Sequence, residues 1–384
     1  MKVGIIGAGA MGSGIAEVAA TAGNEVVIYD NQPGAGERFN TQLEKNLSKL
    51  VEKKKITEEH YQNVRSNIKF IDNINEFKGS ELIIEAIVEN LAVKQEIFSK
   101  LESIVDDNCI LASNTSSLSI TAIASACNKP ERFAGIHFFN PATIMPLVEI
   151  IPGVATSAET LSTSKSIIDS WKKVTVIAKD TPGFIVNRIA RPFYGEAIRI
   201  YEEGIADMAT IDWAIKSKGG FKMGPFELMD FIGHDVNYTV TETVFREFWN
   251  DAKYKPSFTQ KRLVEAKRLG RKSGRGFYDY SEGASIPAPN EDDSLALKIT
   301  ERVLAMLINE AAEALHLHIA TRDDIDQAMT KGVNYPKGLL KWADELGIKK
   351  CLDLMDELYN DYHEERYRAS VLLRKMSKYN QTFY

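Results

Sequence analysis

The chain has 384 residues, 44% of them hydrophobic and 26% charged, with a formal net charge of -6. That is enough chain for two or three globular domains; the acidic balance argues against a general nucleic-acid binder, and no apolar run approaches a membrane span. Three cysteines, Cys109, Cys127 and Cys351, are few, odd in number and far apart, which points to reduced, packed thiols and a cytoplasmic setting rather than a disulfide framework.

The first element predicted is a strand, Lys2–Ile6, and nothing there reads as a cleavable signal. It runs into Gly7-Ala8-Gly9-Ala10-Met11-Gly12. A small-residue helix follows, then a second strand, Val26–Tyr29, ending in Asp30. In this fingerprint Gly7 permits the tight turn, Gly9 lets backbone approach a pyrophosphate, and Gly12 lets the helix pack against the strand. The pyrophosphate lies at the helix N-terminus, where free N–H groups and the dipole favour an anion. Asp30 can accept both ribose hydroxyls and would repel a 2′-phosphate, so NAD is favoured over NADP.

Downstream, helix-like 37–55 ends in Lys53-Lys54-Lys55. Short apolar runs follow at Ile68–Phe70, Glu81–Ala86, Cys109–Ala112, Phe133–Phe138, Leu147–Ile151 and Val174–Ile177, with a helical stretch near 92–104. Alternation of this kind predicts an α/β domain over residues 1–182, a Rossmann-type doubly wound, mostly parallel sheet. After Asp180-Thr181-Pro182-Gly183 the period becomes helical, over 184–203, 210–218 and 235–250. A first all-α domain is expected at 183–283, a linker near Ser281–Ser294, and a second all-α domain at 293–384. The second is a copy of the first. Sliding the chain by 114 places Arg188 on Arg302, Glu196 on Glu310, Asp212 on Asp326, Gly224 on Gly338, Asp230 on Asp344 and Gly233 on Gly347. Asn187, however, falls on Glu301, so the copy is expected to keep the packing and not the chemistry.

Candidate chemistry lies at strand ends, where ligands bind in open α/β sheets. Ser113-Asn114-Thr115-Ser116-Ser117 follows one strand, and a hydroxyl there can hydrogen-bond a substrate oxygen, although a helix cap is the plainer reading. His137 ends another strand. Glu149 lies in an otherwise apolar run, where an acid is costly to bury unless paired. A carboxylate on imidazole fixes the tautomer and stabilises the imidazolium, as removal of an alcohol proton requires. Asn187 falls in the first turns of the next helix, where its amide can donate to a carbonyl. No metal site is expected.

Six motifs stand in order: Gly7–Gly12, Ser113–Ser117, His137-Phe138-Phe139-Asn140-Pro141, Asp180–Arg188, Met223-Gly224-Pro225-Phe226-Glu227 and Gly274-Arg275-Gly276-Phe277-Tyr278. With them the chain resembles the (S)-3-hydroxyacyl-CoA dehydrogenases over about residues 1–280, with the bacterial 3-hydroxybutyryl-CoA dehydrogenases the nearest type. The resemblance implies reversible, NAD-dependent oxidation of a short-chain 3-hydroxyacyl-CoA in fatty acid metabolism. It makes His137 the base, Glu149 its paired acid, Ser116 the partner of the substrate hydroxyl and Asn187 that of the thioester carbonyl. It places Gly7, Gly9, Ala10, Met11, Gly12, Asp30, Glu89, Lys94, Asn114, Asn140 and Lys272 around the cofactor, and Lys53 and Lys54 at coenzyme A, although a solvated helix end is the plainer reading of those two. Alternatives are a dehydrogenase of small sugar acids and a non-catalytic NAD-binding protein. Two-domain family members dimerise through the helical part, so the copy leaves both a homodimer and a monomer open.

Overall fold

Eight apolar runs become strands: β1 (Lys2–Ile6), β2 (Glu25–Tyr29), β3 (Ile68–Ile71), β4 (Leu82–Glu85), β5 (Ile110–Ser113), β6 (Phe133–Phe138), β7 (Leu147–Pro152) and β8 (Val174–Ile177). They form one sheet in the order β3-β2-β1-β4-β5-β6-β7-β8. Every neighbouring pair is parallel except β6 with β7. The first six strands follow the Rossmann order, and the direction of winding switches between β1 and β4. The computed structural model describes all 384 residues. They divide into two compact units, Met1–Phe184, which holds the sheet, and Ile185–Tyr384, which is helical.

Six helices accompany the sheet: α1 (Ala10–Thr21), α2 (Ala35–Glu52), α3 (Glu58–Ser66), α4 (Leu91–Glu102), α5 (Ile120–Ala124) and α6 (Ala158–Ser170). The core forms because strand interiors are apolar on both faces, as a covered parallel sheet needs. Val3, Ile5, Ile28, Ile84 and Ile136 pack with Ile15 and Ala19 of α1 and with Phe39, Leu43 and Leu47 of α2. The last three recur every fourth residue and so share one helix face. All three cysteines are free and buried; burial pushes the Cys109 thiol up to about 12 and those of Cys127 and Cys351 to about 11, which makes them inert packing groups.

The helical unit contains α7 (Val186–Ile189), α8 (Arg191–Glu202), α9 (Met208–Ser217), α10 (Pro225–Ile232), α11 (His234–Glu247), α12 (Phe258–Glu265), α13 (Asp293–His316), α14 (Arg322–Gly332), α15 (Leu339–Leu346), α16 (Ile348–Tyr362) and α17 (Val371–Lys378). The two all-α segments read in the sequence therefore share one compact unit. Their repeat is visible helix by helix: α9, α10 and α11 recur at the same offset as α14, α15 and α16. Capping recurs too. Asp212 accepts the N–H groups of Phe226 and Glu227, and Asp326 those of Leu340 and Lys341. Asp230 accepts the N–H groups of Phe277 and Tyr278, and Asp344 those of Phe383 and Tyr384.

The copies meet along a reciprocal seam. Arg302 donates to Glu196 at 2.7 Å, and so does the Tyr367 hydroxyl, also at 2.7 Å. In the mirrored arrangement Glu310 accepts the Tyr254 hydroxyl at 2.7 Å and pairs with Lys253 at 3.0 Å. Burial opposes ionisation of Glu310, but Lys253, Arg188 and the Tyr254 hydroxyl outweigh it and hold the carboxyl below its usual range. Arg188, the counterpart of Arg302, lowers the Glu310 carboxyl through space, while Lys253 makes the ion pair to Glu310 that Arg302 makes to Glu196, a mutual pattern like that of a two-fold interface.

Asp212 is buried, and burial pushes its carboxyl up to about 7 against its backbone donors and the Tyr278 hydroxyl. The unfolded chain releases this proton near 3.8. The folded state thus holds an extra proton between those values, and the resulting stability is present at low pH and lost as pH rises through about 7. Asp212→Asn has no proton to lose, so its urea midpoint should fall less between about pH 5 and pH 8 than that of the wild type. An equal fall in both proteins would assign the pH dependence to another group.

Candidate active site

The strand-to-helix turn after β1 is a built cradle. Gly7 has φ +99°, and a Cβ there would lie 2.5 Å from the Ala86 carbonyl oxygen. A Cβ on Gly12 would lie 1.8 Å from the Gly7 carbonyl oxygen, so helix and turn touch backbone to backbone. Gly9 has open space on its Cβ side. Gly9 caps α1 without a side-chain bond, leaving the N–H groups at Ala10 and Met11 for an outside acceptor. Asp30 follows β2; its Oδ2 accepts the Ala8 N–H and its Oδ1 the Gln32 N–H, each at 2.8 Å. These residues fit a dinucleotide: free amides for the pyrophosphate, no side chain at the closest approach, and an acid for the ribose.

His137 and Glu149 are directly opposite in the antiparallel β6–β7 pair. That register brings His137 Nδ1 to 2.7 Å from Glu149 Oε2. A carboxylate oxygen accepts, so in this pairing Nδ1–H donates and Nε2 is left with its lone pair. His137 is 5% exposed and Glu149 fully buried. Phe139 and Phe184 rings flank the imidazole at 4.6 and 5.8 Å. The pair is held in one orientation from two sides, with one nitrogen available.

The loop after β5 is braced from β4 and α4. Glu89 Oε1 accepts the Thr115 hydroxyl at 2.5 Å, the Ser117 hydroxyl at 3.0 Å and the Ser116 N–H at 3.1 Å. Burial alone would raise the Glu89 carboxyl; Lys94 and the two hydroxyls outweigh it and lower it. Lys94 is 1% exposed, with its ammonium between Glu85 at 2.5 Å and Glu89 at 3.2 Å. Ser113 also donates to Glu85, at 2.7 Å. The Ser116 hydroxyl takes no part in this network. Asn114 Oδ1 accepts the Phe138 N–H at 2.8 Å and so ties the β5 end to the residue after His137.

The structure therefore groups Ser116, Asn114, Glu89, Lys94, His137 and Glu149 at neighbouring strand ends of the sheet unit. Asn140, also in that unit, is exposed and precedes a cis bond to Pro141. Lys53 and Lys54 are exposed at the end of α2, as a solvated helix C-terminus favours. Asn187 is half-buried on α7, and Lys272 pairs with Asp235 at 2.5 Å; both belong to the helical unit. Glu85 and Thr115 escaped the sequence reading. Glu85, an acid closing an apolar strand, gives the same signal that marked Glu149.

The family profile described as "3-hydroxyacyl-CoA dehydrogenase, NAD binding domain" matches residues 2–181. The profile described as "3-hydroxyacyl-CoA dehydrogenase, C-terminal domain" matches twice, at 183–280 and 299–382. The chain belongs to the 3-hydroxyacyl-CoA dehydrogenase family. It is an NAD-dependent oxidoreductase of 3-hydroxyacyl-CoA thioesters. The chain is 37% identical to an Escherichia coli K12 3-hydroxyadipyl-CoA dehydrogenase, over 97% of this chain and 96% of that one. It is 43% identical to a probable 3-hydroxybutyryl-CoA dehydrogenase of Bacillus subtilis, over 73% of this chain and 98% of that one. A solved E. coli K12 structure described as 3-hydroxybutyryl-CoA dehydrogenase superposes with TM-score 0.94 at 35% identity, covering 99% of this dehydrogenase and 98% of that chain. No helix of the dehydrogenase is long and apolar enough to cross a membrane.

Proposed function

We propose that His137 is the base of this dehydrogenase and that its substrate carries a short acyl chain. The observation that carries the reading is the buried His137–Glu149 pair, with Nδ1 committed and Nε2 free. His137 Nε2 takes the C3 hydroxyl proton as hydride leaves C3, giving the 3-oxoacyl thioester. Glu149 fixes the imidazole and offsets its new positive charge. The free Ser116 hydroxyl orients the substrate oxygen, with Glu89 and Lys94 holding its loop. Asn187 donates to the thioester carbonyl. NAD supplies, when bound, the nicotinamide that accepts the hydride. Met11 and its neighbours in the glycine turn, with Asp30, Asn114, Asn140 and Lys272, form its binding set, and Lys53 and Lys54 take the phosphate end of coenzyme A.

We infer a cytoplasmic enzyme, a reading supported by its three free, buried thiols. We also infer a monomer. The reciprocal Arg302–Glu196 and Lys253–Glu310 seam supports it, because the second copy occupies the surface a partner subunit would use.

The assay is NADH oxidation with acetoacetyl-CoA, repeated with NADPH. Robust turnover with NADH and at least about tenfold weaker turnover with NADPH is expected, because Asp30 repels a 2′-phosphate. Turnover on a free hydroxy acid but on no CoA thioester would overturn the reading.

A further inference from the structure

The ends of β4 and β5 carry one more negative charge than their buried cation needs. Lys94 is 1% exposed and has two counter-ions, Glu85 at 2.5 Å and Glu89 at 3.2 Å. Glu85 is fully buried. Its Oε1 accepts the Ile87 N–H as well as the ammonium, and its Oε2 accepts the Ser113 hydroxyl. That hydroxyl itself accepts the Thr115 N–H, so its hydrogen points at Glu85. Every contact of Glu85 is therefore a donor, as a carboxylate requires. Burial opposes ionisation of Glu89, but Lys94 and the hydroxyls of Thr115 and Ser117 hold its carboxyl below the usual range. Two carboxylates and one ammonium leave a single net negative charge. A surplus anion in a largely buried cluster is costly, and bracing a loop does not require it, because an amide oxygen accepts the same hydrogen bonds.

The place of the cluster in the sheet says what it faces. Glu85 lies opposite Ile6, the last residue of β1 before the glycine turn, and opposite Ser113 at the end of β5. A dinucleotide with its adenosine ribose at Asp30, after β2, and its pyrophosphate on the turn after β1 must run its other half over the ends of β4 and β5. That half is the nicotinamide, which is positively charged when oxidised and neutral when reduced. When the alcohol is oxidised, C3 gives a hydride to the nicotinamide and the hydroxyl gives its proton to His137 Nε2. One positive charge is thus lost at the nicotinamide and one appears on the imidazole. Glu149 favours the charge on the imidazole; the surplus anion at β4 and β5 favours it on the nicotinamide.

We propose that Glu85 sets this charge balance: by neutralising Lys94 from the buried side, it leaves Glu89 as a net anion that favours NAD+ over NADH and opposes Glu149. Glu85 is a positioning residue, acting through Lys94 and Glu89. The inference rests on the dehydrogenase reading above and deepens it. Anions at both ends of the charge shift keep hydride transfer on the enzyme from running to one side.

The test is the ratio of dissociation constants, Kd for NAD+ over Kd for NADH, with NAD+ binding followed by calorimetry and NADH binding by fluorescence. Glu85→Gln keeps the shape of the side chain and removes the charge, so the ratio should rise roughly tenfold, the order expected of one charge in a partly screened site. Glu85→Gln with Lys94→Met restores one net negative charge and should bring the ratio back to within about threefold of wild type. Glu89→Gln, at the more exposed end of the cluster, should also raise the ratio, so the test stands even if Glu85→Gln does not fold. An unchanged ratio in Glu85→Gln and Glu89→Gln, a loss of both affinities by one factor, or a double variant no nearer to wild type than Glu85→Gln would overturn the proposal. Failure of the wild-type protein to bind either nucleotide would overturn the dehydrogenase reading beneath it, and the proposal with it.

Discussion

His137→Ala is expected to lower kcat by about 10²–10⁴-fold while NADH binds as before. The size follows from what is removed: the proton acceptor, and with it the group that Glu149 was placed to stabilise. Cofactor affinity should survive, because the glycine turn, α1 and Asp30 make their contacts without His137. Glu149→Gln gives the finer reading. It leaves a hydrogen-bond acceptor opposite Nδ1 and removes the charge, so kcat should fall by less than in His137→Ala. Rates would be followed as NADH oxidation and binding as NADH fluorescence. Retention of more than about a tenth of wild-type kcat in His137→Ala would remove it from the role of base. Loss of NADH binding together with rate would show a folding defect.

Arg302→Ala is expected to cost about 1.5–3 kcal/mol of stability, the range for losing a hydrogen bond to a charged group. Glu196 is fully buried and would lose this guanidinium, while Arg199 still pairs with it at 3.0 Å. Glu203, which also pairs with Arg302 at 2.8 Å, is partly exposed and would be rehydrated at little cost. Chemical denaturation measures the loss. The companion variant Arg302→Met with Glu196→Leu removes both charges and should recover a large part of it. A loss under about 1 kcal/mol in Arg302→Ala would mean that the seam is not held by this pair.

Much of this was legible in the residues. The glycine turn, the acid closing β2 and the apolar runs place six strands in Rossmann order with little ambiguity. His137 and Glu149 were legible as a histidine at a strand end and an acid in an apolar strand. Their direct opposition was not: the eight residues between β6 and β7 are too few for a parallel crossover and fix the direction, but not the register that sets His137 against Glu149. Lys94 was legible only as a charged residue at a family position. Its burial between Glu85 and Glu89 depends on β4 and α4 meeting at that point. The repeat was legible as far as Gly233. After α11 and α16 the offset changes, because Phe383-Tyr384 meets Asp344 as Phe277-Tyr278 meets Asp230, after a shorter connection. A fixed slide along the sequence cannot see that.

The reciprocal seam has a consequence for dilution. Where two protomers supply such a seam, the fraction assembled falls as the protein is diluted, and the stability of each fold falls with it. Here Glu196 and Arg302 belong to one chain, 106 residues apart. Their meeting is intramolecular, with an effective concentration set by the connecting chain rather than by the amount of protein present. A fused copy therefore keeps its interface at trace expression levels, and leaves one of the two copies free to specialise.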